Sequence, residues 1–183
     1  GNTTENPVTL SVTDVDEVAP VIGSGAVATA INENIDAATT VVYTATSTDA
    51  TAGDSVVYSL KSGVGDEDLF TIDGASGAVK LKSDPNYEAK SSYSFTVVAT
   101  DAAGNTDEQD VSLEITNLDD TAPAFVSGAS GSSVAENAAV GTVVYTAKAD
   151  DGADTSAGVT YSLKSGLGDA FAGGLVAIDS ITG

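Results

Sequence analysis

The sequence contains no cysteine, histidine, methionine, tryptophan or arginine. Without histidine or cysteine there is no zinc site of the usual kind, no thiol nucleophile and no Ser-His-Asp triad. A cysteine-free chain also forgoes disulfides, and a bound metal ion is another way to staple a small fold. The basic residues are six lysines, set against 27 acids, for a net charge of −21. Such a balance repels a phosphate backbone, so nucleic acid is not expected as a partner, and hard cations are the natural counter-charge. No apolar run approaches the roughly 18 residues needed to span a bilayer, so no membrane span is expected. No signal peptide opens the chain, and Gly1-Asn2-Thr3-Thr4 reads as the interior of a longer protein.

What is present is repetition. Hydrophobic residues make up 42% of the chain, enough for a packed core. Asn32-Glu33-Asn34 returns as Ala135-Glu136-Asn137, and Tyr58-Ser59-Leu60-Lys61-Ser62-Gly63 returns unchanged at 161–166, both 103 residues later. Val41-Val42-Tyr43-Thr44-Ala45 recurs at 143–147, and Val8-Thr9-Leu10-Ser11-Val12-Thr13 resembles Val111-Ser112-Leu113-Glu114-Ile115-Thr116. A period near 103 exceeds that of solenoid repeats and fits tandem autonomous domains. Apolar and polar residues alternate strictly in 111–116 and in Tyr93-Ser94-Phe95-Thr96-Val97, as half-buried strands require. Strands are expected near 27–31, 39–47, 55–60, 68–72, 77–82, 92–100 and 109–117. Seven short strands separated by Gly, Asp, Asn and Ser predict an all-β, seven-stranded Greek-key sandwich. Residues 1–17 read as the last strand and linker of a preceding repeat, 18–120 as one complete repeat, and 121–183 as the first part of another.

The acids gather between strands and return at the same phase of the repeat. One cluster spans Asn117-Leu118-Asp119-Asp120-Thr121-Ala122-Pro123, and a related one Asp14-Val15-Asp16-Glu17-Val18-Ala19-Pro20. Carboxylates this dense repel one another unless a cation sits among them, and calcium takes six to eight oxygens from several loops. Asp73 and Asp107, by contrast, read as solvated surface, and Asp54 and Asp66-Glu67-Asp68 as solubility charge. Catalysis by paired carboxylates needs one cleft, whereas these acids recur repeat-wide, so no enzyme is expected. Tyr43, Tyr58, Tyr93, Tyr145 and Tyr161 fall on strand positions that look core-facing, which leaves Tyr87 in a loop and little aromatic platform for a glycan.

Taken together the motifs resemble the cadherin superfamily, in particular cadherin-like repeats of large bacterial surface proteins. Asn32-Glu33-Asn34 resembles the family's xEx motif and Asn86-Tyr87-Glu88 its DxE motif. Asp150-Asp151 stands in the place of DxD, and Asp49 is its thinner counterpart one repeat earlier. Thr100-Asp101-Ala102-Ala103-Gly104-Asn105 resembles the loop that supplies one more aspartate, and 117–123 the DxNDNxP linker. The resemblance implies shared calcium sites where repeats meet. At the second linker it implies Glu33, Asn86 and Glu88, then Asn117, Asp119, Asp120 and the Thr121 carbonyl, then Asp150 and Asp151. At the first linker it implies Asp14, Asp16 and Glu17 with Asp49 and Asp101. Strand exchange through an inserted tryptophan, as in vertebrate adhesion cadherins, is unavailable to a chain without one.

The expected function is a calcium-rigidified structural extender of a bacterial cell-surface adhesin or extracellular filament. Its partners are neighbouring repeats of the same chain, with surface proteins, glycans or identical chains lying laterally as further ones. A glycan- or protein-binding module and an accessory domain of an extracellular enzyme are the other readings left open.

Overall fold

The computed structural model describes residues 1–50, 55–152, 158–164 and 177–181. The chain divides into two compact units, Gly1–Thr116 and Asn117–Gly183.

The first unit is built on one hairpin, β8 (Ser92–Thr100) and β9 (Thr106–Thr116). Its register runs from Ser92 opposite Glu114 to Thr100 opposite Thr106. The period-2 pattern turns Phe95, Val97, Ala99, Val111, Leu113 and Ile115 inward, where each is buried. On one side β5 (Val57–Leu60) lines up antiparallel to β8, and on the other β2 (Ile31–Asn32) runs parallel to β9, giving the order β2-β9-β8-β5. A second sheet, β3 (Tyr43–Thr44), β7 (Ala78–Leu81) and β6 (Phe70–Ile72), faces it. Tyr43, Phe70, Val79 and Leu81 of that sheet close the core. Phe70 and Phe95 stack tilted at 4.6 Å between ring centroids, and Tyr43 meets Phe95 edge-on at 5.8 Å. Each buried Val, Leu or Phe contributes about 1.5–3 kcal/mol through loss of apolar surface.

Two short elements depart from the expected seven strands. β1 (Val21–Ile22) pairs with β4 (Ser47–Thr48), and the single strand expected over 39–47 is broken into β3 and β4. The break arises because Ala45 N–H donates to Gly77 O in the β7 direction, while the next carbonyl, Thr46 O, accepts from Gly23 N–H beside β1. A single 3-10 turn, Glu67–Leu69, precedes β6. The thirteen N-terminal residues form no strand, and Val8, Leu10 and Val12 stand 86–88% exposed.

The second unit repeats the start of the first. β10 (Ala124–Phe125) pairs antiparallel with β11 (Ala149–Asp150), as β1 does with β4. Tyr145 OH lies 2.7 Å from Ser127 Oγ and 2.6 Å from Gly128 O, just as Tyr43 OH meets Ser24 Oγ at 2.7 Å and Gly25 O at 2.9 Å. Asn34 and Asn137, one repeat apart, both adopt the left-handed conformation, with φ of 59° and 65°.

The expected tyrosine positions hold in the first unit. Tyr43 is buried, and Tyr58 and Tyr93 pack half-buried against the core. Tyr87, expected in a loop, also packs there.

Candidate metal centres

The β8–β9 register places the Asp101–Asn105 turn at one end of the first unit and the 114–116 segment at the other. Nine residues of β8 at about 3.3 Å each separate the two by roughly 30 Å. Both ends carry a buried acid. Among the described residues Glu33 and Asp101 are the acids classed as buried, at 1% and 6% exposure.

At the trailing end, parallel pairing of β2 on β9 finishes with Glu33 N–H donating to Thr116 O at 3.1 Å. The left-handed Asn34 then turns the chain, and its N–H donates to Pro85 O at 2.9 Å. That contact brings in the 85–88 loop, whose Tyr87 N–H donates to Glu33 Oε2 at 2.8 Å. Carboxylate oxygens of Glu33 and Glu88 consequently lie within 4.8 Å of each other. Asn86 Oδ1 accepts from Ala89 N–H at 2.7 Å, and Asn86 O accepts from Lys90 N–H at 3.0 Å. Asn86 therefore caps its own turn, and an amide oxygen with two lone pairs keeps one for another partner. Neighbouring Asp84 accepts from Ala37 N–H at 2.8 Å and so ties two loops together.

The remaining residues expected at the second linker belong to the second unit. Asn117 Oδ1 is shielded from solvent and accepts no hydrogen bond from the described residues. Asp119, Asp120 and Thr121 are exposed. Asp150 Oδ1 accepts from Gly152 N–H at 3.0 Å, and Asp151 Oδ1 is shielded from solvent.

At the leading end, Asp101 sits in a tight loop closed by Gly104 at φ 95°. Burial pushes its carboxyl pKa up, but Asn105, through side chain and backbone, and the N–H groups of Gly104 and Ala103 outweigh it and hold the group below the usual aspartate value. Asn105 also reaches the first linker: its Nδ2 lies 2.8 Å from Asp101 Oδ2, 3.2 Å from Asp16 O and 3.4 Å from Val18 O. Asp16 Oδ2 and Asp49 Oδ2 are shielded from solvent, whereas Asp14 and Glu17 are exposed. The fold thus joins Asp16 to the Asp101 loop and Glu33 to Glu88. Asn105, not among the expected site residues, is what links Asp16 to Asp101; its signal was its place after Gly104 in the aspartate loop.

Several acids expected to be mere surface charge instead bind loops. Asp107 Oδ2 accepts from Ile22 N–H at 2.9 Å, and Asp66 Oδ2 from Ser94 N–H at 3.0 Å. Asp73 Oδ1 accepts from Ser76 N–H and Ser76 Oγ, each at 2.8 Å. Glu67 Oε2 accepts from Gly63 N–H at 3.2 Å. Asp54 lies outside the described residues.

A β-sandwich with an oxygen-rich acidic group at each end, and no nitrogen or sulfur donor, defines a class suited to a hard cation. The comparisons agree on the fold. Residues 28–116 match the family model of the cadherin domain. The chain is 34% identical over 152 residues to the protocadherin-like wing polarity protein stan of Drosophila melanogaster, covering 79% of this chain and 4% of that protein. It is 30% identical over 152 residues to human protocadherin Fat 1, covering 81% of this chain and 3% of that protein. Among solved structures, repeats EC22-24 of mouse cadherin-23 align with a TM-score of 0.66 at 29% identity, over 85% of this chain and 50% of that one. The chain thus spans a few per cent of the length of the curated relatives it matches. Among the described residues no helix is long and apolar enough to cross a membrane.

Proposed function

We propose that this chain is part of a calcium-stiffened array of cadherin repeats in an extracellular, surface-attached protein, of bacterial adhesin or filament type. It works as an extender: neighbouring repeats of the same chain are tied end to end, and other modules provide recognition. Residues 1–17 act as the last strand and linker of one repeat, 18–120 as a complete repeat and 121–183 as the start of the next. The strict alternation of Val8, Leu10 and Val12, left 86–88% exposed, supports a strand that completes another sandwich.

Two calcium clusters follow. The leading one takes Asp14, Asp16, Glu17, Asp49 and Asp101. The trailing one takes Glu33, Asn86 and Glu88 with Asn117, Asp119, Asp120, the Thr121 carbonyl, Asp150 and Asp151. Its six carboxylates carry about −6, which about three divalent ions neutralise. The single observation that carries this reading is Glu33, a carboxylate 1% exposed with a second carboxylate within 4.8 Å. A buried anion held this close to a second, exposed carboxylate calls for a cation. The calcium supplies charge and a shared coordination shell; the protein supplies oxygens on rigid strand ends.

Replacing Asp119 and Asp120 with Ala together tests the reading. The expected result is a reduced calcium-dependent thermal stabilisation, by the share the trailing cluster supplies, and a reduced lengthening by small-angle scattering between chelator and millimolar calcium. Stabilisation and lengthening equal to those of the unaltered chain would remove the ligand assignment.

A further inference from the structure

We propose that Asn105 is a metal-independent latch, which docks the first linker on the cadherin domain and presets the leading group of acids. The proposal is carried by one side chain with three oxygen neighbours. Asn105 Nδ2 lies 2.8 Å from Asp101 Oδ2, 3.2 Å from Asp16 O and 3.4 Å from Val18 O. An amide nitrogen has two hydrogens, so one serves Asp101 and the two linker carbonyls share the other.

The backbone of Asn105 is fixed on both sides. Its N–H donates to Asp101 Oδ1 at 2.8 Å, and its carbonyl accepts from Asp101 N–H at 3.1 Å. The linker is held further along the same loop and strand. Val18 N–H donates to Asp16 Oδ1 at 3.0 Å, Ile22 N–H donates to Asp107 Oδ2 at 2.9 Å, and Pro20 is fully buried. No bond in this set needs an ion, so these contacts are available to the segment with or without one.

The chemistry demands an amide. Aspartate at this position would turn an oxygen toward a carboxylate and two carbonyls, all acceptors. Alanine would leave the linker carbonyls without the donor. A group that holds a ligand in place, without itself binding the ion, lowers the ordering cost of binding. The affinity part of this inference rests on the calcium reading above; the latch itself does not.

The test uses the whole chain, with Asn105→Asp and Asn105→Ala, and two readouts. In chelator, amide hydrogen exchange is followed at Val18 and Ile22, with β8 amides reporting the intact fold. Both variants should speed exchange at Val18 and Ile22 severalfold and leave β8 protected. Calcium titration by calorimetry should show the Asp variant binding about 10-fold more weakly or worse, although it carries one more negative charge. Unchanged exchange at Val18 and Ile22 would overturn the latch, as would calcium affinity for the Asp variant equal to or above that of the unaltered chain. If the unaltered chain binds no calcium, the calcium reading falls, and exchange in chelator decides the latch alone. Should either variant lose β8 protection, the Asn105 side-chain amide of the unaltered chain in chelator decides. Protection there supports the latch, and exchange at the free-amide rate refutes it.

Discussion

Glu33→Gln should change stability in opposite directions with and without calcium. The carboxylate oxygens of Glu33 and Glu88 are at most 4.8 Å apart. At an effective dielectric constant of 20 two unit charges at that distance repel by about 3.5 kcal/mol. Glu88 is exposed, so water and salt reduce this to about 1 kcal/mol. Glutamine keeps the oxygen that accepts Tyr87 N–H and loses the charge. In chelator the variant should therefore be more stable than the unaltered chain by about 1 kcal/mol, or about 4–8 °C in Tm for a unit of this size. Calcium at a hundred times its Kd stabilises the unaltered chain by about 2.7 kcal/mol. A variant lacking a buried charged ligand forfeits most of that, and it ends about 1–2 kcal/mol below the unaltered chain. Thermal unfolding of both proteins in chelator and in millimolar calcium gives the four midpoints required. A shift of the same sign in both solutions would refute the reasoning, because it would make Glu33 an ordinary buried hydrogen-bond acceptor.

Three further outcomes follow from the first unit alone. Leu113, fully buried in the centre of β9, should cost about 2–5 kcal/mol when truncated to Ala, read as a lowered urea midpoint with an unchanged m-value. Gly77 adopts φ +69°, and a side chain there would run into Ala45 O, a backbone atom that cannot swing away. Gly77→Ala should therefore destabilise by at least about 1–3 kcal/mol, and a neutral result by the same assay would show that the 73–78 turn can reorganise. Asp73 is held below the usual aspartate value by the Ser76 N–H, the Ser76 hydroxyl and the Ala75 N–H. A folded value below the unfolded one near 3.8 means its contribution is fully present above that pH and is lost as pH falls through the folded value. Asp73→Asn should be less stable than the unaltered chain at pH 7, and the gap should close in acid; a gap independent of pH would sink the assignment.

The sequence pattern revealed most of the fold where side chains alternate over many residues. The β8–β9 hairpin was legible because its inward set, from Phe95 to Ala99 and Val111 to Ile115, follows one period throughout. The crossing of one strand between sheets at Ala45 and Thr46 was not, since both halves keep the same alternation and only the partner changes. Nor was β1 legible, since two residues are too short to show any period. Loop acids divide in a similar way. What Asp107 does depends on Ile22, 85 residues away in sequence, and no local pattern records that meeting. Repeat phase, however, singled out Glu33 and Asp101, the two acids buried among the described residues. A buried carboxylate must be compensated, and the two are compensated differently. Asp101 accepts from several N–H donors that hold its carboxyl below the usual aspartate value, whereas Glu33 accepts from Tyr87 N–H and also lies beside another carboxylate. The two ends of the domain therefore make unequal demands on a cation. The sign reversal expected of Glu33→Gln should not appear in Asp101→Asn. The amide there would turn a donor toward the N–H groups that now face an acceptor, and the protein should lose stability whether or not calcium is present.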